Sequence, residues 1–525
     1  MLVAVFTMTR ASRVTIARSG SVCFMARALR KKLFHGQTAD ADAHRQEKKR
    51  KTKIERARQK ALDQQFVNNT KLRAERIARL AQLTQENPLL AQVPDGVASG
   101  PSTTPGMLTQ DGESHGATAE AEQKGEGDGQ TPELHHHRSC YTCKMKFRTL
   151  HHFYDRMCPA CAALNFQKRL QTANLSDHVA IVTGARVKIG YEIALKLLRA
   201  GAIVVATTRF PKDAAYRFAQ ETDFPQWQDR VHVYGLDFRD LGFMDHVETT
   251  FGRVDILINN ATQTIRRPVH YYKHLLEAEV APVPEQFAAA QPLLKGNATL
   301  LGLENGTGRD GLTGQEAALV RAPTSTASVP SSVLLSQVAV LPEDKESEHT
   351  AELFPQGQVD TNKQQVDLRT TNTWVQKIDA VETMVLDSVE VGPDCSGYGT
   401  WQSTNKHKFI INVSAMEGKF YRAKTPNHPH TNMAKAAANM MTRTCAEDLA
   451  QQGIFMNSVD TGWINDENPR DTAVRIATSH NFQTPLDEVD AAARVLDPIF
   501  VLHQDNHTEP PMFGQFLKDY KISEW

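Results

Sequence analysis

The chain has 525 residues, enough for two or three folded units, and its 40% hydrophobic content can build a core over part of that length. Its 60 basic and 60 acidic residues give a formal net charge of zero, which excludes a global electrostatic attraction to nucleic acid or to an anionic membrane. No apolar run is long enough to span a bilayer, so no membrane contact is expected.

The N-terminal region, residues 1–41, is basic and has no acidic residue before Asp40. An acid-free, Arg-rich beginning is typical of a mitochondrial transit peptide, and a basic tail is the alternative. The predicted location is therefore the cytoplasm or the mitochondrial matrix.

Residues 42–87 are rich in Lys, Arg, Glu, Gln and Ala, which predicts a charged, solvated helix. Its "KKRKTK" cluster, from Lys48, is either a nuclear signal, a phosphate-binding patch or simply a solvated face. Residues 88–134 are dominated by small and polar residues and predict a disordered linker, because they offer little apolar surface to bury.

Residues 135–170 contain two C-x-x-C pairs, formed by Cys140 with Cys143 and by Cys158 with Cys161, with 14 residues between the pairs. Each pair can place two thiolates on a tight turn, and two such turns complete a tetrahedral sulfur site that suits Zn(II). Four Cys leave no open coordination position, so the predicted role is structural.

An alternative interpretation gives this module a nucleic acid or a protein as its partner. The basic residues that would make such contacts are Lys144, Lys146, Arg148 and Arg156. The run of three His at 135–137 is assigned to the linker.

Residues 172–525 alternate buried strands with helical periods, beginning with "VAIVTGA", "AIVVATT", "VHVYGLD" and "VDILINNA" and resuming with "KFIINVSA" and "GIFMNSVD". Such alternation predicts an α/β fold with a doubly wound parallel sheet covered on both faces. Residues 267–370 break the pattern and predict a mostly disordered insertion.

The stretch "VTGARVKIGYE" follows the first strand and opens the first helix, where backbone N–H groups can face a pyrophosphate. This turn resembles the T-G-x-x-x-G-x-G turn of the short-chain dehydrogenase/reductase family. Thr183, Gly184 and Gly190 match it, whereas Lys188 stands where the middle Gly belongs. The resemblance implies a Rossmann domain that binds NAD or NADP.

Further matches to that family follow in order. Arg209 closes the second strand, where a basic residue implies preference for the 2′-phosphate of NADP, and Asp237 occupies the position that contacts adenine. Asn259, Asn260 and Ala261 match the N-N-A motif. The expected cofactor contacts are Thr183, Gly184, Arg186, Lys188, Ile189, Gly190, Arg209, Asp237, Asn259, Asn260, Ala261 and Lys435.

In the resembling family a Tyr four residues before a Lys is the general acid/base, and a Ser and an Asn assist it. Lys435 fits that Lys, but Thr431 occupies the Tyr position and Ala415 the position of the catalytic Ser, with Ser414 just before it. The segment expected to carry the Asn contains none. Thr has no ionisation near neutral pH, and loss of an acid/base group costs about 10²–10⁴ in rate.

Substitute proton donors lie nearby, and the candidates are His430, Tyr421, Glu417 and His428. Two hypotheses therefore stand. The chain is either a divergent NADP(H)-dependent oxidoreductase with a degenerate catalytic tetrad, or a catalytically inactive nucleotide-binding or scaffold protein whose zinc module contacts a partner. The substrate class implied by the family is a carbonyl or hydroxyl compound, and the family commonly pairs into homo-oligomers.

Overall fold

A computed structural model describes residues 37–86, 133–236, 242–261, 267–300, 333, 350–360, 364–375, 407–421, 423–465, 467–470, 472–473, 476, 482–504 and 508–525. The expected transit peptide or basic tail up to residue 36, most of the expected linker, Asp237 and the segment in which a catalytic Asn was sought lie outside these residues. None of the helices in the described part combines the length and apolar character that a bilayer crossing needs.

The described strands and helices alternate along most of the chain. The strands are β1 (Glu133–Ser139), β2 (Lys146–Thr149), β3 (Val179–Thr183), β4 (Ile203–Thr208), β5 (Val231–Gly235), β6 (Ile256–Asn259), β7 (Lys408–Ser414), β8 (Ile454–Asp460), β9 (Phe516–Lys518) and β10 (Lys521–Ser523). The α-helices are α1 (Gln37–Asn68), α2 (Lys71–Glu86), α3 (Pro159–Leu170), α4 (Lys188–Arg199), α5 (Pro211–Ala219), α6 (Gly242–Phe251), α7 (Lys273–Val280), α8 (Lys295–Leu300), α9 (Thr350–Leu353), α10 (Pro429–Gln451) and α11 (Glu488–Leu502).

Eight of the strands form one sheet in the order β10-β9-β8-β7-β6-β3-β4-β5. All neighbours pair in parallel except β10 with β9. The chain order reverses between β3 and β6, and the carboxyl ends of strands at such a switch point form the ligand crevice of open α/β sheets. The predicted doubly wound parallel sheet is confirmed.

Burial on both faces of the sheet explains the continuous apolar strands. In β3, Ala180 and Val182 pack with α4, α5 and α11, whereas Val179 and Ile181 pack with α6 and α10. Because both faces are covered, no polar alternation appears along this strand.

The N-terminal helices and the four-cysteine module form a small unit that begins before the predicted boundary. β1 and β2 pair antiparallel, and α3 follows them. Leu134, assigned to the linker by sequence, is buried there with Val67 and Leu72 from α1 and α2. The His run at 135–137 lies in β1, and one carboxylate, Asp63 on α1, accepts hydrogen bonds from its backbone.

The prediction of a disordered insertion is wrong for residues 267–300. These residues form two 3-10 helices, Val269–Tyr272 and Glu285–Leu294, besides α7 and α8. Tyr272 stacks on Phe210 at 5.4 Å between ring centroids, and Phe287 stacks on Tyr216 at 4.4 Å. Short 3-10 turns and an internal Pro break the 3.6-residue period, which is why the sequence pattern concealed these helices.

Candidate nucleotide cleft and metal centre

The glycine turn between β3 and α4 is closely packed. Gly184 has φ +67°, and a Cβ at that position would lie 3.1 Å from Cβ of Ala261. A Cβ at Gly190 would overlap the Gly184 carbonyl oxygen and stand 2.5 Å from Nδ2 of Asn260. Gly190 therefore has no room for a side chain, and at Gly184 both the positive φ and the close Ala261 disfavour one.

Lys188 keeps a glycine-like backbone although it carries a long side chain. Its φ is +54°, in the left-handed region, and it is the first residue of α4. Burial raises the pKa of Glu488, and the positive charge of Lys188 is among the charges that oppose this rise. The middle position of the motif therefore retains the turn's shape and adds a cation.

The N-N-A motif fixes the neighbouring edge of the turn. The hydroxyl of Thr183 accepts hydrogen bonds from the backbone N–H groups of Asn260 (2.8 Å) and Ala261 (3.0 Å) and donates to the Ile258 carbonyl (3.1 Å). Nδ2 of Asn260 donates to the Thr183 carbonyl at 3.0 Å. These residues, predicted as cofactor contacts, thus also hold the turn in place.

A buried polar chain that the sequence analysis missed crosses the middle of the sheet. Nδ2 of Asn259 donates to Oδ1 of Asn412, and Nδ2 of Asn412 donates to the hydroxyl of Thr442, each at 2.8 Å. The hydroxyls of Thr442 and Ser458 are 2.8 Å apart. An Asn inside the apolar strand "KFIINVS" was the available signal, because buried amides need partners.

Two arginines predicted to contact the nucleotide lie in the turn after β3 and at the end of β4. Nη2 of Arg209 donates to the Tyr272 hydroxyl at 3.1 Å, and its guanidinium lies 4.8 Å from the Tyr272 ring centroid. Arg186 donates to Asp213 at 2.8 Å. Burial raises the pKa of Asp213, but Arg186 and Arg217 outweigh it and leave the pKa lowered. Tyr272, which belongs to the predicted insertion, therefore contributes to this end of the cleft.

Lys435 lies buried on α10 at the other end of the cleft. Its ammonium donates to the Val413 carbonyl at 2.9 Å. Burial lowers its pKa to about 8, although the carboxylates of Glu417 and Asp460 favour the charged form. A lysine with this pKa can hold or release a proton near neutral pH.

The hydroxyl groups around Lys435 differ in their surroundings. Ser414 is buried, and its Oγ donates to Oδ1 of Asn439 at 2.6 Å. Thr431 and His430 are both buried, and Oγ1 of Thr431 lies 3.2 Å from Nε2 of His430. Thr431 precedes Lys435 by one turn of α10 and lies on the same face of the helix.

The side chains of Tyr421 and His428, the two remaining candidate proton donors, contact other parts of the chain. Tyr421 is 56% exposed, and its hydroxyl lies 3.5 Å from the ammonium of Lys419, which also donates to Ser523 at 2.8 Å. His428 stacks on Trp374 at 4.0 Å, and its Nδ1 lies 3.0 Å from the Trp374 carbonyl. Tyr421 thus faces the C-terminal strand, and His428 faces the end of the insertion.

The four Cys of the N-terminal unit converge. Their sulfur atoms all lie within 4.8 Å of one another, and Sγ of Cys143 is 3.7 Å from Sγ of Cys158. Tetrahedral coordination with Zn–S bonds of about 2.3 Å would separate the sulfurs by about 3.8 Å. Burial raises the pKa of the Cys140 thiol, but N–H groups of Cys158 and Cys143 outweigh it and lower the pKa to about 7. The cluster has the composition and spacing of a metal site.

Three of the module's four basic residues make contacts within the chain. Nε of Arg148 donates to the Leu134 carbonyl at 2.6 Å, and the guanidinium of Arg156 lies 5.4 Å from the Phe482 ring. Lys146 is exposed, and Lys144 is exposed with its ammonium donating to the Tyr141 carbonyl. The surface available to a phosphate backbone is smaller than the sequence implied.

Comparisons with known proteins agree with this fold. The family model for short chain dehydrogenase matches residues 178–278. An uncharacterized protein of Acanthamoeba polyphaga mimivirus is 29% identical over 385 residues, which cover 69% of this chain and 71% of that protein. A (+)-neomenthol dehydrogenase of Capsicum annuum is 33% identical over 118 residues, which cover 21% of this chain and only 37% of that enzyme.

A solved short chain dehydrogenase from Burkholderia cenocepacia in complex with NADP is 18% identical to this chain. The alignment covers 66% of this chain and 96% of that one. Its TM-score of 0.33 is too low to support an assignment of function. The match to the short chain dehydrogenase model covers the first half of the sheet, and the parallel strand order agrees with it. The sheet domain of this chain is therefore similar to short-chain dehydrogenases.

Proposed function

We propose that this chain is a divergent oxidoreductase that binds a nicotinamide dinucleotide, with NADP(H) preferred, and acts on a carbonyl or hydroxyl group. One observation carries the proposal: the turn after β3, with a positive φ at Gly184 and no room for a side chain at Gly190, leads into α4 at the switch point of the sheet. A turn in this place can bring backbone N–H groups and the N-terminus of α4 to a pyrophosphate.

The preference for NADP(H) rests on Arg209. Its guanidinium lies at the end of β4 beside the stacked rings of Phe210 and Tyr272, at 5.8 Å and 4.8 Å from their centroids. These rings and the hydrogen bond to the Tyr272 hydroxyl orient the guanidinium, a group that can contact a 2′-phosphate through two parallel N–H groups.

At the catalytic end, the bound dinucleotide would supply or accept the hydride. Lys435 would hold the cofactor's ribose with its ammonium. His430 supplies the imidazole of the buried pair, and the Thr431 hydroxyl, 3.2 Å from its Nε2, can pass a proton between His430 and a ligand. The pair would thus replace the phenol that the family places at position 431.

We further propose that Cys140, Cys143, Cys158 and Cys161 bind one Zn(II) with a structural role. The mutual distance of their sulfurs supports this proposal. Metal analysis of the full chain after reconstitution should give one Zn per chain, and Cys158→Ser should reduce it to less than half an equivalent. A full equivalent retained by Cys158→Ser would rule out this ligand set.

Calorimetry on the full chain with NADPH and NADH tests the main proposal. We expect saturable binding of both, with the smaller dissociation constant for NADPH, followed by turnover of a generic diketone at a rate below that of family members. If neither dinucleotide binds at millimolar concentration, the oxidoreductase proposal is wrong.

Binding without turnover would favour the second candidate, an inactive nucleotide-binding or scaffold protein. The observation that favours this candidate is the loss of the phenol at the position one turn before Lys435, where Thr431 offers only a hydroxyl. A panel of carbonyl and alcohol substrates, monitored through the absorbance of NADPH, separates the two functions.

A further inference from the structure

The segment 461–487 joins the carboxyl end of β8 to the start of α11. It leaves the sheet directly after Asp460, whose charge acts on the buried ammonium of Lys435. Segments that follow the carboxyl ends of parallel strands border the ligand crevice. A shift of this segment would therefore change the space available to a ligand that reaches Lys435.

The metal module holds the beginning of this segment. The backbone N–H of Trp463 donates to the Tyr141 hydroxyl at 2.9 Å. Gly462 has φ +80°, and a Cβ there would lie 3.3 Å from the same hydroxyl. Tyr141 stands between Cys140 and Cys143 in the first Cys pair, and its own N–H donates to the Arg156 carbonyl at 2.8 Å. One phenol thus links a metal-ligand turn to the segment.

The same unit holds the end of the segment. Arg76 on α2 donates to the carbonyls of Thr484 and Leu486, each at 2.6 Å. Leu486 is completely buried within the apolar cluster of the metal module. Both ends of the segment are therefore attached to the N-terminal unit rather than to the sheet alone.

Ion pairs fix this unit on the start of α11. Arg169 on α3 donates to Asp487 at 2.5 Å and to Asp490 at 3.0 Å, and the Tyr154 hydroxyl donates to Asp490 at 2.5 Å. All four side chains are at least mostly buried, and burial strengthens such charge-assisted hydrogen bonds. The N-terminal unit cannot shift as a rigid body without breaking these contacts.

We infer that the four-cysteine module positions residues 461–465 and 482–487 at the ligand cleft, with Tyr141 as a positioning residue, so that metal loading sets the order of these residues and the affinity for the nucleotide. A module of this size has little core of its own, so metal binding supplies much of its folding free energy. Loss of the metal would release the Cys140–Cys143 turn, and with it the hydroxyl that holds Trp463. The effect on nucleotide affinity rests on the proposed function, whereas the effect on the segment does not.

Hydrogen exchange on the full chain tests this inference, comparing the wild type with Tyr141→Phe. Removing the hydroxyl while keeping the ring should speed exchange over 461–465 about five-fold, the effect of one ordinary hydrogen bond. The variant should still bind one Zn per chain, and its dissociation constant for NADPH should rise by about the same factor.

Two control variants and a chelation experiment distinguish positioning by Tyr141 from general destabilisation. Tyr154→Phe removes the bond to Asp490 and should speed exchange at the start of α11 more than over 461–465. Lys146→Ala, an exposed position on β2, should change neither region. Chelation of the wild type should speed exchange over 461–465 and 482–487 together, and added Zn(II) should reverse it.

Unchanged exchange over 461–465 in Tyr141→Phe, or over both regions after complete removal of the metal, would overturn the inference. If the chain binds no dinucleotide, the proposed function fails but the exchange measurements still decide this point. If exchange rises and nucleotide affinity does not fall, the claimed link between metal loading and the cleft is refuted.

Discussion

The glycine turn and the catalytic end of the cleft have diverged to different extents. At the turn, Thr183, Gly184 and Gly190 are retained and the structure holds them by direct packing. At the catalytic end, Lys435 is retained, whereas Thr431 stands where the resembling family has a phenol.

The difference follows from what constrains each region. A side chain at Gly190 would collide with backbone, so substitution there is opposed by sterics whatever the protein does. Thr431 fills its buried site and contacts His430 without needing to ionise, so the fold does not require an ionisable group at this position. The glycines of the turn are therefore explained by the packing of the fold alone. Binding measurements decide whether the turn also binds a nucleotide.

The largest expected effect comes from Gly190→Ala, which breaks the better retained region. The added Cβ overlaps the Gly184 carbonyl, and overpacking of this kind costs about 1–3 kcal/mol of stability. We expect NADPH affinity to fall at least ten-fold, because the backbone must move where the pyrophosphate would lie. Calorimetry measures the affinity, and thermal unfolding measures the stability.

Gly252→Ala is the matched control for that change. Gly252 has a positive φ, +69°, which Gly190 does not, and a Cβ at Gly252 meets nothing within 4 Å. It should cost about 1–2 kcal/mol of backbone strain and leave nucleotide affinity unchanged. Equal affinities in Gly190→Ala and the wild type would show that the turn no longer binds a dinucleotide.

Arg209→Ala tests whether the nucleotide end of the cleft distinguishes NADPH from NADH. Loss of a charged hydrogen bond to a 2′-phosphate is worth about 1.5–3 kcal/mol, so NADPH should bind about 10–100-fold more weakly while NADH changes little. Arg230→Ala is the control, because Arg230 donates to the carbonyls of Leu198 and Gln226 at the amino end of β5. Equal weakening of both dinucleotides would show that Arg209 does not select the 2′-phosphate.

The sequence predicted the sheet because its strands are continuous apolar runs, and "VAIVT" is buried at every position. It predicted the convergence of the four Cys from their spacing alone. It did not predict how the metal module docks, because pairs such as Tyr154 with Asp490 join residues 336 positions apart and leave no local pattern. The network through Asn412 and Thr442 did have a local signal, the Asn inside the apolar strand β7, but the sequence did not indicate its partner 30 positions away.

Lys435→Met tests the proposed role of the lysine that matches the motif of the resembling family. The pKa of Lys435 is lowered to about 8 by burial, so its ammonium should lose its proton, and NADPH affinity should decline, as pH rises through about 8. The variant should bind NADPH about ten-fold more weakly at pH 7 and show a flat profile between pH 7 and 9. Calorimetry across this range gives both values.

Stability should follow the opposite trend, which distinguishes binding from unfolding. Between pH 8 and the ordinary lysine pKa of about 10.4, the unfolded chain binds more protons at Lys435 than the folded chain, so the free energy of unfolding rises with pH. Lys408→Met is the control, since burial also lowers the pKa of Lys408 but this lysine lies at the far end of β7. A wild-type affinity that is independent of pH would argue against a charged contact from Lys435.

The smallest expected effect on binding comes from Thr431→Val, which preserves the shape of the side chain and removes its hydroxyl. Thr431 contributes a neutral group that already contacts His430, so NADPH affinity should change less than two-fold. If the His430–Thr431 pair supplies the proton, turnover of a diketone should nevertheless fall by about 10²-fold, at the lower end of acid–base contributions. His430→Gln should lose as much, because a proton relay fails when either member is removed. Unchanged turnover in both variants would show that another group donates the proton. Lys435 would then be the only one of the family's catalytic groups that this end of the cleft retains.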